Sequence, residues 1–188
     1  MFVALDLPQP VREGVAAWGR EELADPALRP VPPENLHITL AFLGYRPAGD
    51  VKRIAAGLAE CAAPAPLVEL GDPVAKPHLR SARLFALPAL SPGAEQIEAE
   101  LVELLEAKRL YKPEKRPFWP HVTLARVRPA SRGSRRPAAV EKVPGALSAS
   151  LSKPFYGVRL TLYRSVLQPQ GALYSPLAQV ELPGAGRQ

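Results

Sequence analysis

The sequence predicts an α+β domain built from two related sheets, and two observations carry that reading. Strand-like and helix-like patterns alternate along all 188 residues, with no linker that would separate independent domains. Two five-residue stretches nearly repeat each other, His37-Ile38-Thr39-Leu40-Ala41 and His121-Val122-Thr123-Leu124-Ala125, one in each half. The chain contains only three histidines and three threonines, and two of each fall in these copies at the same spacing.

Phe2 to Leu7 reads as a short strand closed by Pro8. Val11, Val15, Trp18 and Leu23 give an amphipathic helix over 10–24. Arg29-Pro30-Val31-Pro32-Pro33 is a rigid, non-helical connector into a strand from Leu36 to Leu43, which Gly44 stops. A helix is expected over 50–62, ended by Pro64, and strands over 67–74 and 82–87 flank a polar turn at 76–81. Ser91 to Leu110 is the clearest helix. Ser91 is placed to cap it, Pro92 stands at its first position, and Ile97, Leu101, Leu104 and Leu105 form its apolar face. Lys108 and Arg109 suit its C-terminal end, where the helix dipole favours positive charge. Phe118-Trp119-Pro120 leads into the second motif strand, His121 to Val127. A long connection over 129–152, rich in Pro, Gly, Ser and Arg, precedes two final strands near 156–167 and 173–182, hinged around Pro169-Gln170-Gly171.

Composition sets the outer limits. Apolar content of 47% and charged content of 22% are ordinary for a soluble globular protein, and no apolar run is long enough to span a bilayer. The N-terminus lacks the charged leader and apolar stretch of a signal peptide, so a cytoplasmic protein is expected. Cys61 is the single cysteine, which excludes an internal disulfide and a multi-cysteine metal site, and its Ala-rich helical setting predicts a buried, inert thiol. The net charge of +6 is unevenly distributed: ten Lys/Arg between Lys108 and Arg136 face the single acid Glu114, which leaves that segment at +9 and the remainder at −3. Such a segment is either a solvated loop or a surface for a polyanion, and the second His-x-Thr copy inside it favours the polyanion.

In an extended strand, residues i and i+2 share a face. His37 therefore projects with Thr39, and His121 with Thr123, while Ile38, Leu40 and Phe42, like Val122 and Leu124, turn to the buried side. One copy alone reads best as a core strand with a hydrogen-bonded histidine. Two matched copies point to acid–base chemistry, because histidine titrates near neutrality. A pair of imidazoles on opposite sides of phosphorus suits phosphodiester hydrolysis: one takes a proton from water and the other gives one to the leaving alkoxide. The threonine hydroxyls can donate to the non-bridging oxygens. Two histidines with no nearby carboxylate make a poor zinc site, so neither metal nor other cofactor is expected. The chain also lacks a phosphate-binding G-x-x-x-x-G-K-[ST] loop, a G-x-S-x-G nucleophile elbow and a nucleotidylation lysine motif.

These stretches resemble the 2H phosphoesterase superfamily, specifically the LigT-like RNA 2′,3′-cyclic phosphodiesterases, also called 2′-5′ RNA ligases after the reverse reaction. The matching segments are Phe2 to Pro8, Pro33 to Gly44, Pro120 to Arg126, and Leu162-Tyr163-Arg164-Ser165 through Gly171 and Tyr174, which together span the chain. The resemblance implies a bilobal α+β fold, with two pseudo-symmetric antiparallel sheets, flanking helices and an active-site groove between the lobes. It implies metal- and ATP-independent hydrolysis of RNA 2′,3′-cyclic phosphate ends to a 2′-phosphate, with His37 as general acid and His121 as general base. Thr39, Thr123 and Arg126 would bind the phosphate. The expected partner is an RNA end such as a tRNA half, handled by a monomer away from membranes.

Simple alternation puts Arg126 on the face of Val122 and Leu124, away from His121, so its role rests on the resemblance. Phe118 and Trp119 are candidates for stacking on a nucleobase or for packing ahead of the motif strand. His78, with no threonine partner and in a turn, reads as a surface histidine. Competing functions are a 2H phosphodiesterase acting on a small cyclic nucleotide or a 2′,5′-linked oligonucleotide, and a non-catalytic RNA-binding module.

Overall fold

The computed structural model describes residues 1–61, 63–168 and 171–184. Strand β1 (Phe2–Asp6) leads into helix α1 (Gln9–Glu22), then an edge strand β2 (Leu28–Pro30) and the first motif strand β3 (His37–Phe42). Helix α2 (Ala48–Glu60) follows, then β4 (Leu67–Leu70), β5 (Val74–Lys76), β6 (Leu84–Leu90) and helix α3 (Pro92–Ala107). The second motif strand β7 (His121–Val127) precedes β8 (Phe155–Tyr156), β9 (Arg159–Gln168) and β10 (Gly171–Glu181). Among the described residues, no helix is long and apolar enough to cross a membrane.

The strands follow one curled path, β10-β9-β1-β3-β7-β6-β4-β8, with β2 and β5 attached beside β7 and β6. The path divides at its centre into two lobes, each an antiparallel sheet whose innermost strand carries a His-x-Thr motif. The α+β class and the two related sheets of the sequence reading are both present. The ladder between the two motif strands is a single residue pair, Ile38 of β3 with antiparallel Val122 of β7. The core lies behind this seam, where Ile38, Val122, Leu40 and Leu124 are buried with Leu5, Phe85 and Leu87. Burial of these large side chains, each worth roughly 1.5–3 kcal/mol, holds the two motif strands in place.

Local chemistry explains where α3 begins. Ser91 accepts a hydrogen bond from the Ala94 N–H at 3.2 Å and donates to the Leu67 carbonyl at 2.7 Å, so one hydroxyl caps α3 and ties it to β4. Helices α2 and α3 approach closely at Gly57, where a Cβ would meet Leu104 at 2.9 Å. Two expectations are refined. The Pro-rich connector contributes β2 as an edge strand on β7, a position that tolerates Pro30, and then one 3-10 turn at Pro33–Asn35. The strand expected over 67–74 is two strands, because β4 and β5 pair with different stretches of β6. Ala62, predicted as the last residue of the second helix, and Pro169 and Gln170 of the predicted hinge lie outside the described residues.

The connection over 129–152 is tied down by carboxylates that accept from its backbone. Asp25 accepts from the N–H groups of Glu141 and Lys142 at 2.8 and 3.2 Å, Glu22 from Gly145 at 2.8 Å, and Asp72 from Leu147 at 3.0 Å. The Trp18 indole donates to the Ala146 carbonyl at 3.3 Å. These bonds satisfy main-chain donors and one carbonyl that regular secondary structure would otherwise pair.

Candidate active site

The Ile38–Val122 pair acts as a local pseudo-dyad. Extending this antiparallel register by one residue each way sets His37 opposite Thr123 and Thr39 opposite His121. All four side chains line one pocket of about 250 Å³, together with Arg126, Asn35, Phe2 and Tyr174.

Both imidazoles are oriented in the same way. His37 Nδ1 lies 2.8 Å from the Asn35 carbonyl, and His121 Nδ1 lies 2.7 Å from the Trp119 carbonyl. A carbonyl oxygen only accepts, so each Nδ1 carries the proton and each neutral ring presents a bare Nε2. His37 Nε2 then accepts from the Thr39 hydroxyl at 3.0 Å. In each copy the carbonyl two residues upstream sets the tautomer, which the sequence spacing alone does not reveal.

The surroundings differ between the two rings. His37 stacks on buried Phe2 at 4.9 Å between ring centroids, with Tyr174 edge-on at 5.6 Å. Its pKa is held down to about 4, chiefly by burial; nearby Asp6 opposes that shift and His121 adds to it. Asp6 itself is buried and accepts from Arg159 Nε at 2.8 Å, the Thr161 hydroxyl at 2.8 Å and the Tyr163 hydroxyl at 3.0 Å. His121 stacks on Trp119 at 4.1 Å, and the Lys76 ammonium lies 4.2 Å from the centre of that same ring. Burial lowers the His121 pKa, and Lys76 and Arg126 lower it further. Both rings are thus biased neutral in the empty groove. The local charges push them apart: an anion lies near His37 and cations near His121.

Strand parity breaks at the same place in both copies. Along β1, Val3 faces Ala41 and Ala4 faces Thr39, so Leu40 is an unopposed bulge residue. Along β6, Phe85 faces Ala125 and Ala86 faces Thr123, which makes Leu124 the equivalent residue. Each bulge buries two successive residues and turns the next one outward. Arg126 therefore reaches the pocket beside His121, and the parity objection to it disappears. The matching bulge at Leu40 corrects the expectation that Phe42 is core: Phe42 is 60% exposed and lines the pocket. The signal available in the sequence was the repeat itself, since Phe42 and Arg126 both follow a Leu-Ala pair.

Phe118 and Trp119 border an adjoining cavity of about 400 Å³ with Phe42, Thr39 and His121. Phe118 is partly packed against the core, and Trp119 is engaged by His121 and Lys76. His78 is exposed on its turn with Ser81 at 3.0 Å, as expected of a surface histidine. Cys61 is buried, and burial raises its thiol pKa.

Residues 5–80 match the family model described as LigT like Phosphoesterase. An RNA 2′,3′-cyclic phosphodiesterase from Thermus thermophilus is 33% identical over 98% of this chain and 90% of its own length. The chain belongs to the LigT-like phosphoesterase family. Solved structures agree along the whole length. A Thermus thermophilus protein superposes with a TM-score of 0.77 at 27% identity, covering 100% of this chain and 98% of that one. Escherichia coli LigT in complex with 3′-AMP gives a TM-score of 0.75 at 30% identity, over 97% of each chain. The bilobal architecture of this LigT-like phosphoesterase is thus that of its relatives.

Proposed function

We propose that this LigT-like phosphoesterase hydrolyses 2′,3′-cyclic phosphate ends of RNA to a 2′-phosphate, with His37 as general acid and His121 as general base. The register that sets His37 opposite Thr123 and Thr39 opposite His121 on the wall of one pocket carries this reading. On this reading the two imidazoles and the two hydroxyls surround a phosphate held in that pocket of about 250 Å³. The names of the relatives support the substrate class.

The chemistry follows from the groups present. Thr39, Thr123 and Arg126 donate to the non-bridging oxygens and stabilise the charge that builds on them. Thr39 leaves His37 Nε2 when it turns to the phosphate, and the incoming anion favours protonation of that ring. His121 Nε2 takes a proton from water as its oxygen bonds to phosphorus. The P–O3′ bond breaks, and His37 Nε2–H gives its proton to O3′, leaving a 3′-hydroxyl and a 2′-phosphate. A ribose 5′-hydroxyl in place of water would form a 2′-5′ linkage by the same two transfers. Asp6 beside His37 favours its charged form, while Lys76 and Arg126 beside His121 favour the neutral one, which supports this division of roles. The exposed ring of Phe42, with Phe118 beside it, is suited to the terminal base, while His121 and Lys76 cover the faces of Trp119. On this reading a monomer works in the cytoplasm on RNA ends such as tRNA halves, without a metal.

Product analysis on a cyclic-phosphate oligonucleotide tests the proposal. A 2′-phosphate product is expected, and His37→Ala or His121→Ala should each lower turnover by about 10²–10⁴-fold. A 3′-phosphate product, or wild-type rates in both variants, would overturn it.

A further inference from the structure

A second cationic feature opens off the catalytic pocket. Arg126 lines that pocket and two neighbouring cavities, of about 260 and 310 Å³. Arg29 lines both neighbours, and Arg128 and Arg132 line the second. Arg29 and Arg126 are directly opposite each other in the antiparallel β2–β7 ladder. Cross-strand partners share a face with Cβ atoms about 5 Å apart, and like charges so placed repel. Among the described residues neither arginine forms a salt bridge or side-chain hydrogen bond within the protein. Glu34 also lines the first cavity but pairs with neither. Both guanidinium groups are exposed, so two cations are held side by side with their donors unused.

We infer that Arg29, opposite Arg126 and continued by Arg128 and Arg132, forms a second phosphate subsite for the RNA backbone next to the reacting end. This inference rests on the function proposed above. A bound phosphodiester between the pair replaces their repulsion with charge-assisted hydrogen bonds, and the planar guanidinium fork suits phosphate oxygens. Arg128 Nε donates to the Leu28 carbonyl at 3.2 Å, which ties its stem to β2 and aims it along the same track. The subsite would make the enzyme select chain ends over free cyclic nucleotides, since only a chain carries a second phosphate.

Steady-state kinetics on a cyclic-phosphate oligonucleotide and on a 2′,3′-cyclic mononucleotide provide the test, for wild type, Arg29→Gln and Arg29→Lys. The wild type should prefer the oligonucleotide in kcat/KM by roughly tenfold or more, the value of one hydrogen bond to a charged group. Arg29→Gln should lower kcat/KM at least about fivefold more on the oligonucleotide than on the mononucleotide, with partial recovery in Arg29→Lys. Its salt dependence on the oligonucleotide should be shallower by about 0.7 in log–log slope, one phosphate contact on a single strand. Equal losses on both substrates, no loss on either, or a wild type that prefers the mononucleotide would overturn the subsite while leaving the catalytic reading intact. A wild type inactive on both would overturn the proposed function, and the subsite with it.

Discussion

Phe42 and Arg126 hold equivalent positions in the two lobes. Each follows a β-bulge, at Leu40 and at Leu124, that faces it into the groove. The two motif strands thus share backbone geometry as well as sequence, yet after the bulge one carries an aromatic ring and the other a cation. The pseudo-dyad relates the histidines and threonines and is broken at this third residue. At this position the cationic side chain is on the β7 side of the groove.

That asymmetry predicts opposite consequences for substitution. Arg126→Ala should lower kcat/KM by about 10–100-fold, the cost of hydrogen bonds to a charged phosphate. Phe42→Ala should change stability by no more than about 0.5 kcal/mol, as for an exposed site, whereas Leu40→Ala should cost about 2–5 kcal/mol. Chemical denaturation of the two variants checks the pair. A Phe42 variant as unstable as the Leu40 one would mean that the bulge does not turn Phe42 outward.

The pH dependence of catalysis should follow the charges around His121. As the proposed general base His121 must be neutral, and its pKa lies below the ordinary 6.5, so the acid limb of kcat/KM should fall below pH 6.5. Lys76 disfavours the charged ring. Its replacement in Lys76→Gln should raise the pKa and move that limb to higher pH. A limb that stays in place or moves lower would remove Lys76 from the account.

His37 should leave a mark on stability. Its folded pKa of about 4 lies below the unfolded 6.5, so between these values the unfolded chain binds more protons. Stability should therefore fall as pH drops below 6.5 and level off near 4. In His37→Gln this part of the slope should flatten, measured as Tm against pH; an unchanged slope would place the titrating group elsewhere.

Asp6 combines both effects. Its buried carboxylate accepts three hydrogen bonds and raises the His37 pKa. Asp6→Asn should cost about 2–3 kcal/mol in unfolding free energy, from weakened hydrogen bonds to a charged acceptor. It should also shift the alkaline limb of turnover to lower pH, since His37, the proposed general acid, loses its proton earlier. A stability loss with an unmoved alkaline limb would reduce Asp6 to a purely structural role.

Turnover in excess chelator is the last check. Wild-type activity should persist in EDTA, because in the proposed mechanism two imidazoles and a cationic groove supply the proton transfers and charge stabilisation. Loss on chelation, restored by zinc, would sink the metal-free mechanism.

Features that depend only on neighbours in the chain were legible in the residues. The period-two placement of His with Thr, the Ser91 cap with Pro92, and the apolar face of α3 are local, and each appears where the pattern placed it. What escaped depends on contacts between distant segments. Alternation placed Phe42 in the core because it assumes an unbroken ladder, while the bulges arise from how β1 and β6 pair with the motif strands. The edge strand β2 escaped because its pairing with β7 overrides the weak strand preference of a Pro-rich stretch.

The reagents are therefore written in the chain itself: two His-x-Thr strands, each presenting an imidazole and a hydroxyl on one face, since strand geometry is a property of the local backbone. Their arrangement belongs to the folded molecule. Folding made the two strands neighbours through Ile38 and Val122, turned Arg126 into the pocket, and set Asp6 near one ring and Lys76 near the other. Register, bulges and electrostatic surroundings depend on residues far apart in the chain, and those meet only in the folded molecule.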